Sequence, residues 1–323
     1  MLNLKEMLLL KRPHLKSGSV INYVICLEKL HQRMNNGART FDSLEWLSNS
    51  KPILDEIATM NPNTKRNYLN SVIVFFSTVK GHDETPAWKA YTDARDELNQ
   101  AFAEEQLKNR KTERQEQNWI TAHEFDKVIK SYESLIKRHR ILYAKPTDIQ
   151  KDELERLQDY VLLRLYREIP SRNDFADIKI VNPKEYVNEH TNNDNYLIHG
   201  RSQMHFMLHN WKTKRNDMDS RKIDVPPDLR RLIRAYIRKL DGRPYLFQNT
   251  RGGPLNRNGL TKLFTRLFKR FYPDKNISTS LMRHIFITNK YAEVSKEMAQ
   301  DQNNLGHGEQ QQKAYIIDKP PKD

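Results

Sequence analysis

Strand-like residue patterns are confined to one short part of this chain, between about positions 179 and 225. Runs rich in β-branched and aromatic residues occur there at 179–181, 196–199, 205–211 and 221–225. The last two flank the polar segment 212–220, which predicts a hairpin. On both sides of this window apolar residues recur at intervals of three and four, the spacing of amphipathic helices. The sequence therefore predicts a mainly α protein with one small antiparallel sheet, an α+β fold.

The first hundred residues carry helical patterns of this kind. One helix is expected from about Ser19 to Met34, and a stronger one opens near Asn63. Lys65 and Arg66 fall in the first turn of the second helix, where the helix dipole favours acidic residues. A nearby phosphate explains these cations, so both are candidate DNA contacts; a solvated face is the alternative.

Composition divides the chain into two domains. The strongly polar stretch from about 92 to 117 reads as the end of a helix followed by an exposed linker. We expect a helical domain at 1–107, a linker at 108–118 and a second domain at 119–323.

Three local patterns refine the second domain. Thr121 and Thr147 each begin a possible capping box, which predicts a helix after each of them. The segment 182–195 is interpreted as an exposed insertion loop. His205 and His209 share one face of a predicted strand, but with no cysteine nearby we expect no metal site.

The cysteine count and the hydropathy indicate an intracellular protein. Cys26 is the one cysteine among 323 residues, which excludes an internal disulfide framework and fits a reducing compartment. No stretch approaches the roughly 20 apolar residues that cross a bilayer, and the start lacks the pattern of a secretory signal. We expect a protein that is not secreted and has no membrane partner.

Positive charge is concentrated in one segment. The net charge is +14, and residues 201–290 hold 21 Lys and Arg against 6 Asp and Glu, a net of +15. The remainder holds 34 basic and 35 acidic residues. Such a field attracts polyanions, so we favour nucleic acid over an acidic membrane or a merely solubilising surface.

Five residues follow one another in an informative order. Arg172 and Lys212 precede Arg283, which is followed by His307 in a Leu-Gly-His sequence and, eight residues later, by Tyr315. This series resembles the active site of tyrosine recombinases, strongly in the second domain and weakly in the first. Any one of these residues alone is ordinarily a surface or core residue; the order and the intervals carry the resemblance.

The resemblance implies a reaction. Arg172 and Arg283 clamp the scissile phosphate, since guanidinium donates two parallel hydrogen bonds and keeps its charge. Lys212 acts as the general acid for the departing 5′-oxygen, and His307 hydrogen-bonds the phosphate or assists proton transfer. Tyr315 attacks and forms a 3′-phosphotyrosine. The resemblance implies no metal and no other cofactor.

It also implies partners and an assembly. The two domains form a clamp around double-stranded DNA, with Lys214 and Arg215 contacting DNA beside Lys212. Four protomers form a tetramer on two DNA segments during recombination or integration. An origin in a phage, a virus, another mobile element or a chromosome is equally compatible.

The sequence departs from the family pattern in several places. Ser280 stands where the family usually has a histidine, and a serine can contact phosphate but cannot act as a base. The acidic residue often found three positions after the first arginine is replaced by Phe175, with Asp174 or Asp177 as possible substitutes. His284 is expected to point about 100° away from Arg283 and to pack structurally.

Two alternatives remain open. A type IB topoisomerase uses the same kinds of catalytic residue but relaxes supercoils as a monomer. A catalytically impaired DNA-binding relative is compatible with Ser280 and with the eight residues that follow Tyr315.

Overall fold

The chain forms two compact units. The computed structural model describes residues 2–79, 81–108, 110–211, 214 and 219–306. One unit comprises Met1–Arg110 and the other Lys111–Asp323.

The first unit is built from helices. Its helices are α1 (Leu4–Lys11), α2 (Ser17–Met34), α3 (Ser50–Ala58), α4 (Pro62–Phe76) and α5 (Pro86–Leu107). The Asn61 side chain caps α4 by accepting a hydrogen bond from Thr64 N at 3.0 Å. The helix begins at Pro62, one residue before the expected start, so Lys65 and Arg66 lie at the end of its first turn. Cys26 is buried in α2.

The second unit combines helices with four strands. Its helices are α6 (Glu113–Asn118), α7 (Ala122–Arg138), α8 (Lys151–Glu168), α9 (Pro183–Glu189), α10 (Pro227–Ile237), α11 (Arg257–Lys269) and α12 (Thr279–Leu305). Its strands are β1 (Lys179–Val181), β2 (Asn195–His199), β3 (Met204–Leu208) and β4 (Arg221–Asp224). The α+β class predicted from the sequence is therefore confirmed.

The sheet is mixed, not purely antiparallel. Its strands are ordered β1-β2-β3-β4, with β1 parallel to β2 and the other two pairs antiparallel. A parallel pair needs a crossover connection, and the segment interpreted as an insertion loop supplies one by forming α9. The segment 182–195 is largely exposed as expected, but it is not a loop throughout, because the Asn182 side chain caps α9 by accepting from Glu185 N at 2.9 Å.

Helix starts in this unit test the capping predictions. Thr121 caps α7 in a reciprocal box with Glu124, as predicted. The prediction at Thr147 was wrong, because α8 starts after Gln150, whose backbone N–H donates to Glu153 at 3.1 Å. The end of the segment expected as a linker forms α6, and its last residue, Asn118, is buried and donates to Arg114 O at 2.7 Å.

The core of the second unit surrounds α8. Leu162, Leu163 and Leu165 are fully buried, and Phe264 and Phe268 of α11 complete the centre of the same apolar cluster. No helix among the described residues combines the length and apolar character needed to cross a membrane.

Candidate active site

The start of α12 fixes the position of Arg283. Ser278 caps the helix by accepting from Leu281 N at 3.3 Å. Met282 and Ile285, on either side of Arg283 in the sequence, are buried in the core. The arginine is therefore held partly buried at the margin of the core, on a helix turn that cannot easily rotate.

A tight turn after α8 fixes Arg172. The hydroxyl of Tyr166, at the end of α8, donates to Arg172 O at 2.6 Å. A short 3₁₀ helix, Asn173–Phe175, follows at once, and its buried Phe175 packs on Phe206 of β3 with ring centroids 4.7 Å apart. Arg172 is thus anchored through its own backbone and through the aromatic residue three positions later.

One asparagine connects the two arginine-bearing segments. Asn173 donates through Nδ2 to Thr261 Oγ1 of α11 at 2.7 Å and accepts through Oδ1 from Thr279 Oγ1 at 2.6 Å. Thr279 lies four residues before Arg283, on the same face of α12. The residue next to Arg172 is therefore hydrogen-bonded one helical turn from Arg283.

The charge of Arg172 acts on Arg283. Burial lowers the pKa of Arg283, and the positive charge of Arg172 lowers it further, while Asp174 and Tyr166 act in the opposite direction. Two like charges held close together favour an anion between them, and a guanidinium pair matches the oxygens of a phosphate.

Asp174 is the acidic residue of this cluster. It is 5% exposed, and its carboxylate accepts from Ser171 Oγ at 3.0 Å. Asp177 is exposed, with a left-handed backbone at φ 59°. Of the two substitutes that the sequence left open, Asp174 is the one that lies beside the arginines.

The base of the β3–β4 hairpin is tied to the same cluster. Asn195 of β2 donates through Nδ2 to Asp174 O at 3.3 Å and to Asn210 O at 2.8 Å. Its Oδ1 accepts from the backbone N–H groups of His209 and Asn210. Asn210 lies two residues before Lys212. The chain just before the lysine is therefore hydrogen-bonded, through Asn195, to the segment that carries Asp174.

The hairpin itself is described only in part. Lys212 and Arg215 lie outside the described residues. Lys214 is partly buried; its Nζ donates to Asp219 O at 3.2 Å and lies 5.7 Å from the centroid of the Trp211 ring.

His209, on the chain just after β3, makes a structural contact. His209 is buried, and its Nε2 is hydrogen-bonded to the Tyr186 hydroxyl at 2.9 Å. Across the described ranges, no group of three or more His, Cys, Asp and Glu side chains is arranged to hold a metal ion.

Two further candidates lie on α12 near Arg283. Ser280 is exposed in the first turn, three residues before the arginine. His284 is also exposed, so the expectation that it packs structurally was wrong: the core side of the helix is taken by Leu281, Met282 and Ile285.

Beyond Arg283, α12 continues without a break to Leu305. At 1.5 Å per residue this places Leu305 about 33 Å along the helix axis from the arginine. The two remaining candidates, His307 and Tyr315, lie outside the described residues.

In the first unit the predicted DNA contacts are partly buried. The Arg66 guanidinium lies 5.2 Å from the centroid of the Phe102 ring, a cation–π contact between α4 and α5. Lys65 lies beside it in α4 and is also partly buried.

The residues that position the two arginines were not predicted from the sequence. Tyr166, Asn173, Thr279 and Asn195 form the hydrogen bonds that hold the cluster together. The only available signal was adjacency: Asn173 directly follows Arg172, and Thr279 lies one helical turn before an arginine.

Comparison with known proteins gives a likeness of fold. No protein-family model and no curated protein matches the sequence. Among solved structures, the chain is similar to the XerH site-specific recombinase bound to difH substrate in a pre-cleavage complex, with 14% identity and a TM-score of 0.49 over 98% of this chain and 92% of that one. A post-cleavage complex of XerH with palindromic difH gives 14% identity and a TM-score of 0.48 over 98% and 91%. The roles of Arg172 and Arg283 therefore have to come from the geometry of this chain.

Proposed function

We propose that this protein is a site-specific DNA recombinase or integrase that cuts and rejoins DNA strands through a 3′-phosphotyrosine intermediate. The observation that carries the proposal is the 2.6 Å hydrogen bond from Thr279 to Asn173, which joins the turn of Arg172 to the helix turn of Arg283, although the two partly buried arginines are 111 positions apart in the sequence. Asn173 and Thr279 hold the two segments together.

The pair suits the transition state of phosphoryl transfer. Negative charge develops on the non-bridging oxygens as Tyr315 Oη attacks the phosphorus and the bond from phosphorus to the 5′-oxygen breaks. The departing oxygen takes a proton from Lys212, and the phenol proton passes to a base, for which His307 is the candidate. Removing one preorganised donor from a comparable oxyanion site raises the barrier by about 3–4 kcal/mol.

The distribution of positive charge supports double-stranded DNA as the substrate. The net charge of +15 across residues 201–290 falls on the segment that contains Arg283 and the β3–β4 hairpin. Lys65, Arg66, Lys214 and Arg215 remain proposed DNA contacts, and Ser280 a proposed phosphate contact. Assembly into a tetramer on DNA is part of the proposal.

A covalent trapping assay tests the proposal. The full chain is incubated with nicked duplexes of randomised sequence, so that a cleaved strand diffuses away and the adduct persists. We expect a protein–DNA adduct with the wild type and none with Tyr315→Phe. An adduct that is undiminished in Tyr315→Phe, or no adduct with the wild type on any sequence, contradicts the proposal.

Plasmid relaxation and DNA-binding measurements, made beside the trapping assay, separate the alternatives. Rapid relaxation of supercoiled plasmid with little sequence preference indicates a type IB topoisomerase. DNA binding that is unchanged in Tyr315→Phe, with no adduct under any condition, indicates a relative that binds without cutting. Sequencing the junctions of any products then identifies the DNA target.

A further inference from the structure

The distal part of α12 exposes apolar side chains along one face. Ile287, Tyr291 and Val294 are 53%, 48% and 49% exposed, and Leu305 at the end of the helix is 69% exposed. None of the residues of α12 after Phe286 is buried, and the structure describes all of them. An apolar stripe of this length on a solvent-exposed helix marks an interaction surface.

The spacing of the stripe is that of a coiled-coil seam. Its positions alternate by four and three residues, which is the a/d pattern of a heptad repeat. They are Ser280, His284, Ile287, Tyr291, Val294, Met298, Asp301 and Leu305. All are exposed except Met298, which is partly buried.

We infer that this seam pairs with the seam of a second copy of the chain in antiparallel orientation, about a two-fold axis passing between residues 292 and 293. In that register Tyr291 of each copy meets Val294 of the other, and Ile287 meets Met298. The central apolar positions are thus matched with apolar positions, whereas Leu305 meets Ser280 at each end of the seam.

The polar and charged residues of the seam favour the antiparallel orientation over the parallel one. His284 of one copy faces Asp301 of the other, so the imidazole and the carboxylate of the seam meet each other. Lys290 and Glu297 lie beside the central apolar positions of the seam. Lys290 of each copy faces Glu297 of the other, which gives two ion pairs. A parallel pair would instead set Asp301 against Asp301 and Lys290 against Ser295, which gives no ion pair. The single chain already places Lys290 Nζ 5.1 Å from the Tyr291 ring centroid, beside the seam.

Charge reversal tests the pairing. Self-association of the full chain is measured by sedimentation equilibrium, alone and on a DNA duplex. Lys290→Glu and Glu297→Lys each create two like-charge contacts and should weaken the association constant by about tenfold. A 1:1 mixture of the two variants restores both ion pairs and should recover wild-type association.

Matched controls lie on the same helix. Lys296→Glu and Glu293→Lys change the same residue types on the side away from the seam, where the two form an exposed ion pair of 3.2 Å within one chain. These variants should associate like the wild type. Reversal variants that pair as tightly as the wild type, a mixture that shows no recovery, or a wild type that stays monomeric with and without DNA overturns the pairing.

Discussion

The two parts of α12 differ sharply although they belong to one unbroken helix. Over its first two turns the helix buries Leu281, Met282 and Ile285 and carries Arg283 at the margin of the core. From Ile287 onward it buries no side chain, and a heptad-spaced stripe faces solvent. The first part places an arginine rigidly, whereas the second presents a surface; continuity of the backbone couples the two.

The sharpest test of the first part removes its arginine. Arg283→Ala should slow adduct formation by about 10²–10³-fold, since one preorganised phosphate donor contributes roughly 3–4 kcal/mol. Single-turnover trapping with nicked DNA measures the rate. Lys296→Ala removes a cation from the outer side of the second part and should leave the rate near that of the wild type. Equal losses in the two variants would mean that only the total charge of α12 matters.

A matched pair of isoleucines compares the two parts directly. Ile285 is 3% exposed and Ile287 is 53% exposed, two positions apart on the same helix. Ile285→Ala should lower the free energy of unfolding by about 2–4 kcal/mol, because it removes buried methyl groups and leaves a cavity. Ile287→Ala should change it by less than about 0.5 kcal/mol in the single chain.

Urea denaturation measures the free energy of unfolding of both variants, at a protein concentration too low for the chains to associate. Sedimentation should show the reverse order, with Ile287→Ala weakening association more than Ile285→Ala. Similar unfolding free energies for the two variants would show that the distal part of α12 is packed in solution.

The same contrast explains what the sequence could predict. Helical periodicity predicts a buried stripe of Leu260, Phe264, Leu267 and Phe271; the first three are buried in α11, whereas Phe271 lies beyond the end of the helix and is 37% exposed. It could not reveal the parallel pairing of β1 with β2, since register between distant strands is decided by the crossover through α9. Nor could it show that Asn173 joins two segments that are more than 100 positions apart.

The two arginines illustrate the limit most clearly. Their identity and order in the sequence suggested a shared role, but their proximity depends on hydrogen bonds made by Tyr166, Asn173 and Thr279. Such side chains have no pattern of their own, because polar residues of these types are common at helix ends and in turns.

The hydrogen bond between Thr279 and Asn173 should matter more for chemistry than for stability. Thr279→Val removes the hydroxyl that donates the 2.6 Å hydrogen bond to Asn173 Oδ1, and it should lower the free energy of unfolding by about 1 kcal/mol. It should also slow adduct formation by about tenfold, because the turn that holds Arg172 loses its tie to α12. Thr279→Ser keeps the hydroxyl and should restore the rate.

Thr265→Val is the matched control. Its hydroxyl donates to Ile277 O at 3.1 Å in the same unit but has no bond to the Arg172 turn. A similar loss of stability with little change in rate is expected. If both valine variants slow the reaction equally, the effect comes from general loosening of the unit and not from the position of Arg172.

The smallest expected effect is a pH dependence of self-association. Partial loss of hydration lowers the pKa of the exposed His284 side chain in the single chain, and the charge of Arg283 lowers this pKa further. In the antiparallel pair Asp301 of the second copy faces His284 and raises that pKa again. Pairing then takes up protons, so the association constant should rise by roughly three- to tenfold as the pH falls from about 7.5 to about 5.5. Asp301→Asn retains the shape of the seam and removes the charge, so it should flatten this dependence. An unchanged slope in Asp301→Asn would place the titrating group elsewhere and would argue against the register in which His284 meets Asp301.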